Sequence, residues 1–147
     1  MSNDPCVAII GGGLSGLVCG QALARRGIRS VVFDTGEHSV GGRLATRASA
    51  AGSFRQEWVP PALQGADLAF DHAAQYFTAT DPRFKAMVDE WVAAGAVREW
   101  RGPVGTLQDG CFEALPADGP TRYIATGGMA SLAKHLASPV SDFKGPS

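Results

Sequence analysis

The sequence predicts an α/β protein organised around a parallel strand–helix–strand crossover in its first 34 residues. Three observations carry that expectation. Val7-Ala8-Ile9-Ile10 is a short apolar run rich in β-branching, as a buried strand would be. Gly11-x-Gly13-x-x-Gly16 follows it directly and opens a helical pattern. A second apolar run, Ser30-Val31-Val32-Phe33, then ends in Asp34, roughly 20 residues beyond the glycines.

Each glycine has its own task in such a crossover. Gly11 allows the sharp turn out of the strand, Gly13 lets a diphosphate approach the backbone, and Gly16 lets helix and strand pack closely. The free N–H groups of the first helical turn and the positive end of the helix dipole then face the phosphates. Asp34 stands where a dinucleotide fold places the acceptor for ribose hydroxyls. A glycine motif alone is weak evidence. The strand before it, the helix after it and the acid make a dinucleotide site the reading, against a crossover that binds nothing.

A chain of 147 residues fits one domain by length. Hydrophobic residues make up 45% and charged residues 18%, which describes a folded rather than a disordered chain. The net charge of −1 points to neither nucleic acid nor an anionic membrane as partner. No apolar run is long enough to span a bilayer. Met1-Ser2-Asn3-Asp4-Pro5 enters the first strand with no secretory or organellar leader pattern, so a cytoplasmic location is expected. Cys6, Cys19 and Cys111 are far apart and read as buried, inert thiols. His38, His72 and His135 are equally scattered, and no metal site is expected.

The first helix is expected from Leu14 to Arg26, with Arg25-Arg26-Gly27 as a basic last turn and stop. Gly20 inside it costs roughly 1 kcal/mol against alanine, and close approach to the sheet would explain it. Gly41-Gly42-Arg43 combines tight backbone packing with a guanidinium that can meet a phosphate bidentately. Alone it would read as a solvated turn. Its place shortly after Asp34 puts it near the same ligand.

Gly11-x-Gly13-x-x-Gly16, Asp34 and Gly41-Gly42-Arg43-x-x-x-Arg47 together resemble the start of an FAD-dependent oxidoreductase of the amine-oxidase superfamily. Phe70-Asp71-His72-Ala73-Ala74-Gln75-Tyr76-Phe77-Thr78 is similar to the D-x-G-A-Q-Y-F-T signature of its renalase-like members. Ala73 departs from it, where that family has glycine. Arg122-Tyr123-Ile124-Ala125-Thr126-Gly127-Gly128-Met129 and the helix after it match a further segment, so the resemblance runs from about Val7 to Ala137. It implies that Gly11, Gly13, Ser15 and Gly16 line the pyrophosphate of FAD and that Asp34 takes the adenosine ribose. It also implies that Gly42 and Arg43 meet the pyrophosphate or bracket the flavin, with Ala74 and Gln75 approaching from the other side. From the residues alone, Gln75 and Tyr76 read as an ordinary turn into a strand. His72 reads as a hydrogen-bonded structural residue rather than a base.

Between Arg47 and Phe70, small residues and the pair Pro60-Pro61 indicate an irregular surface connection, long enough to be either functional or disordered. Asp81-Pro82 opens a helix as N-cap and first residue, and Gly95 ends it. Phe84, Met87, Val88, Trp91 and Val92 recur on one side of it and read as core rather than as a flavin wall. Strands are expected over Val97–Trp100 and Val104–Ala114, with a hairpin turn at Asp109-Gly110. A short strand over Arg122–Ala125 and a helix over Met129–Ala137 follow. Residues 138–147 lose all periodicity and read as a loose tail.

The expected organisation is therefore part of a Rossmann-like FAD-binding domain over residues 6–80, a partial antiparallel substrate-side region over 81–137, and a disordered tail over 138–147. The resemblance also implies a further cofactor-binding segment, which nothing in the sequence matches, so a truncated N-terminal portion is expected. It implies oxidation of a small-molecule substrate, a dihydronicotinamide dinucleotide or an amine, by hydride transfer to flavin with dioxygen as acceptor. No residue stands out as catalytic, and the oligomeric state is open. An NAD(P)-binding module and a non-catalytic product are the alternatives.

Overall fold

The computed structural model describes residues 5–36, 40–49, 59–116, 118–140 and 142–145. The chain is a mixed α/β structure. Its opening crossover consists of β1 (Cys6–Ile10), α1 (Leu14–Ala24) and β2 (Arg29–Phe33). β1 and β2 pair in parallel with Ala8 opposite Val31 and Ile10 opposite Phe33. The strands are held by the helix between them: α1 passes over the sheet and buries Leu17, Gly20 and Gln21. Gly20 is explained by contact, because a Cβ there would stand 2.8 Å from Val140 Cγ2 and 3.5 Å from Ile9 Cδ1. The helix stops at Ala24, slightly before the expected Arg26, and Gly27 turns the chain with φ +70°.

Among the described residues, three further strands and two short turns lead to the second helix. A 3-10 turn, Gly42–Leu44, precedes β3 (Thr46–Ser49), and another at Pro61–Leu63 precedes β4 (Leu68–Asp71). β3 and β4 pair antiparallel with Thr46 opposite Asp71. The connection expected to be irregular between Arg47 and Phe70 is thus strand-paired at both ends; its middle, residues 50–58, lies outside the described residues, as does His38. After β5 (Phe77–Thr78), α2 runs from Pro82 to Ala93. Asp81 caps it, accepting from Arg83 N at 2.8 Å and Phe84 N at 3.3 Å. Val92 points away from the packed side and is exposed.

The remaining strands are β6 (Val97–Glu99), β7 (Gly105–Gln108), β8 (Cys111–Ala114) and β9 (Arg122–Ala125), followed by α3 (Met129–Ala137) and β10 (Asp142–Lys144). β5, β9 and β6 form an antiparallel sheet in that order, while β7 and β8 form a separate two-stranded ribbon turned at Asp109-Gly110. β10 corrects the expectation of a loose tail. It pairs in parallel with β2, Phe143 opposite Val32, and completes a three-stranded sheet ordered β1-β2-β10. Three residues are too few to show a period in sequence; the pairing partner and Val140, buried against Ile9 and Val32, supply the order.

One core spans both portions into which the sequence divides at residue 80. It joins Leu17 of α1 and Leu44 to Val88 and Trp91 of α2, Tyr123 of β9, and Leu132 and Leu136 of α3. Trp91 is 1% exposed and meets Phe77 and Phe84 edge-on, and Phe77 stacks on Tyr123 with ring centroids 5.7 Å apart. The aromatic residues of α2 are core.

Two expectations of burial fail. β1 was expected to be a buried strand, yet only Ile9 of its residues is buried and Ile10 is 83% exposed. Among the described residues β1 has a strand neighbour on one side only, and α1 covers one face. Cys6, Cys19 and Cys111 are likewise exposed, not buried. Cys19 sits on α1 away from the Leu17, Gly20 and Gln21 face, and Cys111 opens a strand of the two-stranded ribbon. Among the described residues no helix is long and apolar enough to cross a membrane, and no three metal-ligating side chains come together.

Candidate functional site

The glycine turn between β1 and α1 is held from below by backbone hydrogen bonds. Gly11 N donates to Phe33 O at 2.7 Å, which fixes the exit from β1 beside the end of β2. The chain then enters α1 with Gly13 at the N-cap position, in extended conformation. The first intrahelical bond runs from Leu17 N to Gly13 O at 3.0 Å, leaving the amides of Leu14, Ser15 and Gly16 ahead of the helical ladder. No side chain caps them, and no acid lies in that turn. Gly16 is required by contact: a Cβ would stand 1.9 Å from Gly11 O.

The Gly41–Arg43 segment is drawn to this turn. Gly41 N donates to Gly12 O at 2.8 Å, and Gly13 and Gly41 form an isolated parallel bridge. Gly41 and Gly42 both adopt positive φ, +130° and +53°, which lets the backbone double back into its 3-10 turn without a side chain between it and Gly13. The Ala73–Gln75 segment is attached to that turn in its own right, Ala74 N donating to Arg43 O at 3.1 Å.

These segments enclose a cleft of about 560 Å³. Gly11, Gly13, Ser15 and Gly16 line one part, Arg43 and Ala74 another, so six of the nine residues expected to bind cofactor share one space. Gly42 lies beside it, its missing Cβ 3.6 Å from Gly13 Cα. Gln75 is exposed and Asp34 half-buried, and neither is part of the lining. Asp34 is instead tied to the glycine turn: Oδ2 accepts from Gly12 N at 2.5 Å and Oδ1 from Gly36 N at 2.7 Å. A carboxylate has about four lone-pair sites, so both oxygens keep room for hydroxyl donors.

The rest of the lining was not singled out as a site by sequence reasoning. Ile10, Leu14, Leu44, Phe77 and Met129 form its apolar walls, with Gly41 and Ala73. Apolar residues inside strands and helices carry no signal separating a cleft wall from core. Arg43, itself exposed, is the one titratable side chain among the described lining residues. The cleft therefore offers backbone amides, one fixed positive charge and apolar surface, which suits holding an anionic ligand with a flat or aliphatic extension. His72, expected to be a hydrogen-bonded structural residue, is exposed and makes no hydrogen bond among the described residues. Tyr76 lies under the guanidinium of Arg122, 5.6 Å from its ring centroid.

Comparison with known families agrees with this geometry. The family model described as the NAD(P)-binding Rossmann-like domain matches residues 9–91, which hold the end of β1, all of α1 and β2, the Gly41–Arg43 turn and the Ala73–Ala74 segment. That match covers more than half of the chain, and the protein belongs to the NAD(P)-binding Rossmann-like domain family.

Proposed function

We propose that the cleft binds FAD and that the chain is part of an oxidoreductase acting on a small reduced molecule. The observation that carries this reading is the convergence of two extra segments on the glycine turn, through Gly41 N to Gly12 O and Ala74 N to Arg43 O. A module that takes only a nicotinamide dinucleotide leaves those segments unexplained. The cradle also suits a diphosphate: nothing stands within 4 Å of where side chains on Gly11 or Gly13 would begin. The three free amides and the helix dipole favour negative charge there.

In this reading the amides of Leu14, Ser15 and Gly16 hold the pyrophosphate, and Arg43 neutralises it from the facing turn. Asp34 accepts from the adenosine ribose, and Ala74 and Gln75 approach the cofactor from the side opposite the glycines. Bound FAD supplies a two-electron acceptor for hydride from a dihydronicotinamide dinucleotide or an amine, with dioxygen as the final acceptor. The residues of this chain bind and orient; no proton-transferring side chain lines the cleft among those described. We place the protein in the cytoplasm, with a small molecule as its partner.

The family's own description is also compatible with a second reading, an NAD(P)-binding module. A visible spectrum of the purified chain and calorimetric titration separate the two. Flavin absorption that co-purifies, or FAD binding tighter than NAD or NADP, supports the first. Binding of NAD or NADP with no response to FAD replaces it with the second. Silence toward all three overturns both.

A further inference from the structure

Asp71 ends β4, and the binding reading leaves it without a role. Its Oδ1 accepts from Thr46 Oγ1 at 2.5 Å and from Met129 N at 2.9 Å. Thr46 Oγ1 in turn accepts from Ala130 N at 2.8 Å. Two side chains, from β3 and β4, thereby fill first-turn amides of α3, whose own N-cap residue Gly128 has no side chain to offer. The junction is close: a Cβ on Gly128 would stand 2.8 Å from Thr46 Cγ2. Met129 begins α3 and lines the cleft, as do Ala73 and Ala74 just beyond Asp71. One carboxylate is therefore anchored to the helix that carries one part of the cleft wall and to the strand that leads into another.

We infer that Asp71 is a positioning residue: it sets the Met129 and Ala73–Ala74 wall of the cleft and leaves α1 as the helix end there still open to an anion. A carboxylate among the first amides of a helix satisfies them and complements the dipole. Amides so filled have nothing left to offer a phosphate. The inference rests on the dinucleotide reading, and it divides the ligand in two. ADP meets the glycine turn and Asp34, neither of which Asp71 touches. FAD extends beyond its pyrophosphate to the wall that Asp71 holds.

The test uses the full chain with Asp71→Ala and Asp71→Asn, titrated calorimetrically with ADP and with FAD. Asp71→Ala is expected to weaken FAD about tenfold, the scale of one lost hydrogen bond to a charged group. Its ADP affinity stays at the unsubstituted level. Asp71→Asn, whose amide oxygen still accepts from Met129 N, recovers most of the FAD affinity. A general loss of structure would lower ADP and FAD together, and that result, or an unchanged FAD affinity, overturns the proposal. Hydrogen exchange without ligand supplies an independent reading. Asp71→Ala should speed exchange at Met129 and Ala74 while Trp100 and Thr126, bonded to Arg122 O and Ala96 O, keep their protection. Protection retained at Ala74 overturns the proposal whatever the ligands do. If the unsubstituted chain binds neither ADP nor FAD, the dinucleotide reading fails, and the exchange result still decides whether Asp71 holds the wall.

Discussion

Two helices begin at the cleft and are finished in opposite ways. α1 starts at Gly13, with no capping side chain and no acid in its first turn. α3 starts at Gly128, equally bare, yet Asp71 and Thr46 arrive from distant strands to fill its amides. α2, which contributes nothing to the lining, is closed locally by Asp81. A cap is worth about 1 kcal/mol to a helix, so the bare end of α1 forgoes stability that the other two take. What holds α1 is packing: Leu17 is fully buried in the main core, and Gly20 lets Val140 and Ile9 come close. The unfilled helix end is where a ligand can do the capping.

The largest expected effect breaks this contrast directly. Gly13→Asp places a carboxylate at the N-cap of α1, where the backbone is extended and a Cβ meets nothing within 4 Å. Helix stability should rise by a few tenths of a kcal/mol. Dinucleotide affinity should fall at least about 100-fold, because like charges brought together cost several kcal/mol. Thermal unfolding and calorimetry on the same sample check both signs; a variant that still binds FAD or NAD would show that the phosphates lie elsewhere. Gly16→Ala is expected to cost about 1–3 kcal/mol of stability through the clash with Gly11 O. Urea unfolding reads it, and a fully stable Gly16→Ala would mean that turn and helix are not in contact.

Thr46→Val sharpens the other side of the comparison. It keeps the shape of the side chain but leaves Ala130 N without its acceptor, at an expected cost of about 1–2 kcal/mol. Thr46→Ser should restore most of the loss in the same denaturation experiment. The smallest effect concerns α2. The Arg83 guanidinium, with help from the Arg83 and Phe84 amides, holds the Asp81 carboxyl below its ordinary 3.8, at about 2. A carboxyl depressed in the folded state stabilises it above the unfolded value, and the gain is lost as pH falls through the folded one. Acid titration should therefore show a small weakening of α2 between about pH 4 and pH 2 that Asp81→Asn abolishes.

How much of this was legible beforehand depends on how far apart the participating residues lie. The cap of α2 could be read from Asp81-Pro82, because the acceptor and the amides it serves are neighbours in sequence. The cap of α3 could not. Thr46 and Asp71 reach Ala130 and Met129 across 84 and 58 positions in the chain, and no local pattern announces a cap supplied by other strands. The glycine turn was legible for the same reason as the α2 cap. Its partner Asp34 follows the end of β2, as the spacing predicts, while its bonds to Gly12 and Gly36 depend on how the loops pack. Burial was read least well: Ile10 and three cysteines have the composition of interior residues and lie at the surface.

Sequence alone specifies the crossover, the glycine turn, the turns at Gly27 and Gly95, and the spans of α2 and α3. Each depends on backbone conformation or on side chains within one or two turns, where residue type alone sets the preference. Tertiary structure decided the rest: that a three-residue strand near the chain's end joins β2, that Gly41–Arg43 and Ala74 converge on the glycine turn, and that one helix end is filled while its neighbour stays open. Those outcomes depend on which distant amides and carbonyls come within hydrogen-bonding reach. Their partners are far apart along the chain, and only the packed core brings them together.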